Sequence, residues 1–232
     1  MIETVDVRAG AAAATQGHRA VERFRGQLPQ QTHSVEQVEQ VLRALPSHGW
    51  AAGWIGRRDR ALLVLSQFAG LSYVQIAALA AGDLSISDGV AIVRTAGGKT
   101  ILRRADDDLL CGPCALARWV HALDLTVVYP DGRVIAALIA RAVPLTTDSP
   151  HLCQSNNGIT EPTRRVALMP PVDQWGHPIR VVIEPRPAAR ASVLRATSPS
   201  VTTTANEAGQ RALALEQRVE DLLEPGSCPA PG

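Results

Sequence analysis

Val90-Ala91-Ile92-Val93-Arg94-Thr95-Ala96-Gly97-Gly98-Lys99-Thr100-Ile101-Leu102-Arg103 is where the hydrophobic pattern of this chain changes. Upstream of it, apolar residues recur every three or four positions, the spacing of one helix face. Within it, short β-branched runs flank Ala96-Gly97-Gly98, a group that tolerates the positive φ of a tight turn. The stretch is therefore predicted as a β-hairpin embedded in helices, and the fold class as mainly α with a small β-hairpin (α+β).

Working upstream, residues 57–69 form a helix with Leu62, Leu63, Leu65 and Phe68 on its apolar face, ended by Gly70 as a left-handed cap. Ser72 and Gln75 make a capping box that opens a short helix through Leu79, closed by Gly82. Ser34 and Gln37 make another, followed by Val35, Val38, Val41, Leu42 and Leu45 at helical spacing and stopped by Pro46. Downstream, 106–108 is a polar break, and helices are predicted over 115–123 and 134–143, the second ended by Pro144. Prolines at 144, 150, 162, 170, 171, 178, 185 and 187 exclude long helices beyond that point, leaving one short strand over 180–183.

The domain plan is then a disordered arm over 1–33, a globular domain over 34–183 with an irregular Pro-rich second half, and a linker over 184–203. A C-terminal helix over 204–224 follows, capped by Thr204 and Glu207, with Leu213, Val219, Leu222 and Leu223 on or near one face, and then a disordered tail over 225–232. That helix either docks on the core or offers its apolar stripe to a protein partner.

Only 3% of residues are aromatic, so the core rests on Ala, Leu, Val and Ile. With 23 basic and 22 acidic residues, nucleic acid or membrane binding requires a local patch rather than an overall field. Met1 to Gly10 carries Glu3 and Asp6 and no apolar core, and no run approaches a membrane span, so a cytoplasmic protein with no membrane partner is expected. In that reducing compartment the four cysteines are weighed as metal ligands or inert thiols rather than disulfides.

Several of these pieces also stand in a recognisable order. Arg58-Asp59-Arg60-Ala61-Leu62-Leu63, Ala69-Gly70-Leu71-Ser72, Gly82-Asp83-Leu84, the Gly97-Gly98-Lys99 turn and Cys111-Gly112-Pro113-Cys114-Ala115-Leu116-Ala117-Arg118-Trp119 follow one another without reordering. Together they resemble the first half of the catalytic domain of tyrosine recombinases (phage integrases), which implies a truncated core of that kind. The family's chemistry uses a tyrosine nucleophile on a DNA phosphodiester, with arginines, a hairpin lysine and histidines stabilising the developing charge. Here Ser72 stands at the first arginine and Ala96 at the hairpin lysine, with Lys99 at a second lysine of the turn. The two tyrosines, Tyr73 and Tyr129, both precede the literal His-x-x-Arg match at His177-Pro178-Ile179-Arg180, whose Pro178 and following β-branched residues favour a strand over the helix the family uses. No enzymatic activity is expected. The resemblance implies double-stranded DNA as a partner, met by Arg57, Arg58 and Arg60 with Arg94, Lys99, Arg103 and Arg104 on the hairpin. The same arginines also suit ordinary surface pairs with Asp59 and 106–108. The function expected from the resemblance is a non-catalytic, DNA-associated remnant or modulator of site-specific recombination.

Other readings compete for the same residues. Gly70-Leu71-Ser72-Tyr73-Val74-Gln75-Ile76-Ala77 is similar to the sigma-factor region-4 helix-turn-helix, which would need a recognition helix from about Ser85. Cys111-Gly112-Pro113-Cys114 matches the thioredoxin redox tetrapeptide by letters, but 106–108 is a run of aspartates, which raises thiol pKa values. Zinc suits it better: Cys111 and Cys114 form one half-site, and His151 with Cys153 supplies the other, a soft donor set for tetrahedral Zn²⁺. This gives the alternative of a zinc-stapled interaction module with no DNA role.

Overall fold

The computed structural model describes residues 33–129, 131–155, 158–171, 182 and 201–224, with side chains of the last segment from 207. The expected arm, most of the linker, the tail, the His177–Arg180 box and Cys228 lie outside the described residues.

The unit from Val35 onward is mainly helical with one small sheet. Its elements are α1 (Val35–Ala44), α2 (Ala52–Leu63), α3 (Tyr73–Ala77), β1 (Leu84–Ser87), β2 (Val90–Thr95), β3 (Gly98–Arg103), α4 (Gly112–Val128), α5 (Gly132–Ala140), α6 (Glu161–Arg164) and α7 (Val201–Leu223). A π-helical turn, Val64–Phe68, prolongs α2. Gly70, at φ +63°, then reverses the chain and lets the Leu71 N–H reach the Leu65 carbonyl at 3.1 Å, as a left-handed cap does. Ser72 and Gln75 form the reciprocal capping box at the start of α3: the Ser72 N–H donates to Gln75 Oε1 at 2.8 Å and the Gln75 N–H to Ser72 Oγ at 3.3 Å.

α2 is the central helix. Trp54 is fully buried and meets Trp119 of α4 edge-on, 5.1 Å between ring centroids. The Trp119 indole N–H donates to the Leu168 carbonyl at 2.6 Å, which ties the Pro-rich second half to the core. Gly53 and Gly56 let α2 pass directly beside the backbone of His48 and Pro46. α7 lies across α3, α2 and α1 and buries Ala212, Leu215, Val219 and Leu223.

Four expectations are corrected. The sheet has three antiparallel strands in the order β1-β2-β3, not a lone hairpin. β1 and β2 join through Asp88-Gly89 at φ 50° and 76°, a two-residue turn whose Asp-Gly signature matches the strands' twist. The helices expected over 115–123 and 134–143 run over Gly112–Val128 and Gly132–Ala140. The C-terminal helix begins at Val201, inside the expected linker, and its buried stripe is shifted: Ala212 and Leu215 face the core while Leu213 is exposed. A helix-turn-helix would need a helix from Ser85, and the chain there is strand β1. Val182, from the strand expected over 180–183, makes an isolated antiparallel bridge with Val166.

Candidate metal centre

Cys111 caps the N-terminus of α4 with Pro113 in the first turn, a position proline favours because its missing N–H has no helical partner to lose. Cys114 follows one turn later, so both sulfurs leave the same helix start. His151 is the N-cap of a single 3₁₀ turn, Leu152–Gln154, and Cys153 is the middle residue of that turn. The Asp88-Gly89 turn holds that segment in place: the Gly89 N–H donates to the Cys153 carbonyl at 2.9 Å, while the Gly89 carbonyl accepts from the Arg104 N–H at 2.8 Å.

The two half-sites meet. Cys114 Sγ lies 3.3 Å from Cys153 Sγ and 3.3 Å from His151 Nδ1, and Cys111 Sγ lies 3.9 Å from Cys153 Sγ. All four donor atoms fall within 4.8 Å of one another, and the group can hold a metal ion. The three cysteines are fully buried, and the His151 side chain is 15% exposed. His151 Nε2 lies 3.1 Å from the Asp106 carbonyl oxygen, which only accepts. The proton is thereby held on Nε2 and the Nδ1 lone pair faces the sulfurs, the outer-shell arrangement that orients a metal-binding imidazole. Sequence reasoning did not find this partner, because a main-chain carbonyl carries no signature.

The thiols do not share one acidity. The Cys114 thiol donates to Cys111 and holds that sulfur down at about 5, with further help from backbone N–H donors. Cys114 is pushed up, because it is the donor and because it is buried, and Cys153 is pushed up by burial. Beside the cluster, Asp108 is buried, accepts from Arg118 at 2.7 Å and stands 3.8 Å from His151 Nδ1.

The seven cations expected to face DNA are divided. Arg60 is buried and donates to the Leu42 and Leu45 carbonyls at 2.7 and 3.1 Å, closing the end of α1. Burial, and then Arg118, lower its pKa to about 10. Arg58 is buried beside Asp59, and Arg57 donates to the Ser47 carbonyl. Arg58 and Arg60 are therefore out of reach of a phosphate in this conformation. Burying arginine is unusual enough that its sequence position alone points the other way.

Lys99, Arg103 and Arg104 are exposed, and Arg94 is half-buried with a hydrogen bond to the Gly82 carbonyl. In the sheet register Arg94 pairs with Lys99, Ile92 with Ile101 and Val90 with Arg103. Alternation puts all six on the face opposite buried Ala91, Val93 and Leu102. The apolar stripe of α7 is spent on its own core, so a partner for that helix would meet Leu213 and the polar side.

No family model, no curated protein and no solved structure matches the chain.

Proposed function

We propose that this protein is a non-enzymatic, zinc-stapled interaction module. The observation that carries the reading is the convergence of Cys111, Cys114, His151 and Cys153 with their donor atoms within 4.8 Å. A tetrahedral zinc with Zn–S bonds of about 2.3 Å sets its sulfurs about 3.8 Å apart, close to the spacing here. Three thiolates and one imidazole fill all four positions and leave none for water or substrate, the pattern of a structural site. The staple would join the start of α4 to the Pro-rich segment after α5, where the described chain has little regular structure of its own. Metal analysis of the full chain prepared with zinc tests this. One zinc per chain is expected, with a thiolate charge-transfer band on cobalt substitution, and both should vanish in Cys114→Ser and Cys153→Ser. A zinc-replete preparation that carries no metal and takes up no cobalt sinks the reading.

A second reading, a DNA-associated protein of the integrase-like kind, is favoured by the outward sheet face. It carries Arg94, Lys99 and Arg103, and the three strands contain no acidic residue. Three phosphate contacts give a slope of about −2.7 in log affinity against log salt. Binding of a generic duplex at rising salt checks it. Lys99→Ala should lower the slope by about one, and no binding even at low salt removes the reading.

A further inference from the structure

We propose that α5 is the face through which two copies of this chain associate, packed antiparallel about a two-fold axis level with Ala136. α5 buries only Ile135 and Ile139. On its other side Asp131, Val134, Ala137, Leu138 and Arg141 recur at three- and four-residue spacing and form one exposed stripe. Val134 and Leu138 are 39% and 42% exposed. Val128 and Tyr129 before the helix, and Val143 after it, are exposed as well. Exposed large apolar side chains that share one helix face are candidates for a covered surface.

The stripe is complementary to itself rather than merely apolar. Its one acid, Asp131, caps the N-terminal end, and Arg141 stands at the C-terminal end, ten positions or about 15 Å further along the axis. An isologous pair requires each contact to occur twice, i with j and j with i. Antiparallel packing centred on Ala136 meets that requirement: Asp131 lies level with Arg141 of the partner subunit, and Val134 with Leu138 of the partner subunit. Ala137 sits near the axis, where a small side chain lets two helices approach. A parallel pair would instead set Asp131 against Asp131 and Arg141 against Arg141. The interface is short, at the low end of specific contacts, so association depends on concentration in the micromolar range.

Sedimentation velocity of the zinc-replete full chain, from about 1 to about 300 µM, tests this. The expected result is a monomer–dimer equilibrium that Leu138→Glu abolishes and that Arg141→Glu weakens about tenfold, by setting a second acid opposite Asp131. Far-UV circular dichroism checks that each variant is folded, and Ala137→Arg provides an independent block at the axis if Leu138→Glu is not. A wild-type chain that stays monomeric throughout overturns the proposal and assigns the stripe to a different partner. A dimer indifferent to both Ala137→Arg and Arg141→Glu overturns it equally.

Discussion

Asp59 on α2 and Arg218 on α7 are joined by an ion pair, with Arg218 Nε donating to Asp59 Oδ2 at 3.0 Å and a second guanidinium N–H on the same oxygen. Asp59 is fully buried, so its charge depends on this partner and on the more distant Arg58 at 3.4 Å. Asp59 hydrogen-bonding is also the main reason the Arg218 pKa is raised. Removing one partner of such a pair strands the other charge in the interior. Because Arg218 is partly exposed, the cost of Arg218→Ala is discounted to about 2 kcal/mol. It should appear as a lower urea midpoint, with α7 released first in hydrogen exchange.

Arg60 separates burial from charge. Arg60→Ala leaves a cavity and frees the Leu42 and Leu45 carbonyls at the end of α1, for a loss of about 3 kcal/mol. Arg60→Met keeps the stem's packing and removes a charge that burial and Arg118 already disfavour. Because it also frees the Leu42 and Leu45 carbonyls, its cost should be about 2 kcal/mol, below that of Arg60→Ala by the packing it keeps. Equilibrium denaturation of the two variants distinguishes a packing role from an electrostatic one.

Two glycines should differ sharply. An alanine Cβ at Gly56 would run into the Pro46 carbonyl oxygen, which is backbone and cannot rotate away. Gly56→Ala should therefore cost more than about 3 kcal/mol or prevent folding. At Gly70 there is open space, and only the left-handed φ resists a side chain. Gly70→Ala should cost about 1 kcal/mol. Thermal midpoints of the pair give the comparison.

Zinc uptake should release about two protons near neutral pH. Cys111, held down at about 5, is already a thiolate, whereas Cys114 and Cys153, both pushed up, must each lose a proton to become ligands. Titration calorimetry in buffers of different ionisation enthalpy measures the number. A value near three would mean that Cys111 is not preformed as the anion.

Tyr73 is half-buried, and burial, then Glu216 and Glu220 of α7, push its hydroxyl up to about 12. The unfolded value is about 10. The folded state thus resists ionisation that the unfolded state accepts. Its contribution is intact below pH 10 and is lost as pH rises toward 12. In a Tyr129→Phe background, the remaining tyrosinate absorbance should titrate near 12 when folded and about two units lower in denaturant.

Much of the local structure was legible. Ser72 with Gln75, Gly70 after an apolar helical run, and the Ala96-Gly97 turn between β-branched runs each act through neighbours a few positions away. β1 was equally legible in principle, since Asp88-Gly89 is a hairpin signal, but a four-residue strand of alternating serine is too short to show a period. The two metal half-sites were visible as Cys-x-x-Cys and His-x-Cys pairs; that they share one centre depends on a chain path of 37 positions between Cys114 and His151.

By itself, then, the sequence determined the kinds of element, their caps and which residue types are fit to bind a metal, because these rest on short-range dihedral and donor chemistry. Tertiary structure alone decided that Cys111, Cys114, His151 and Cys153 converge, that Arg58 and Arg60 turn inward while Lys99 and Arg103 face out, and that α7 buries Leu215 rather than Leu213. Periodicity shows which residues share a face. Which face is covered, and by what, depends on contacts between segments far apart in the chain, such as Asp59 with Arg218.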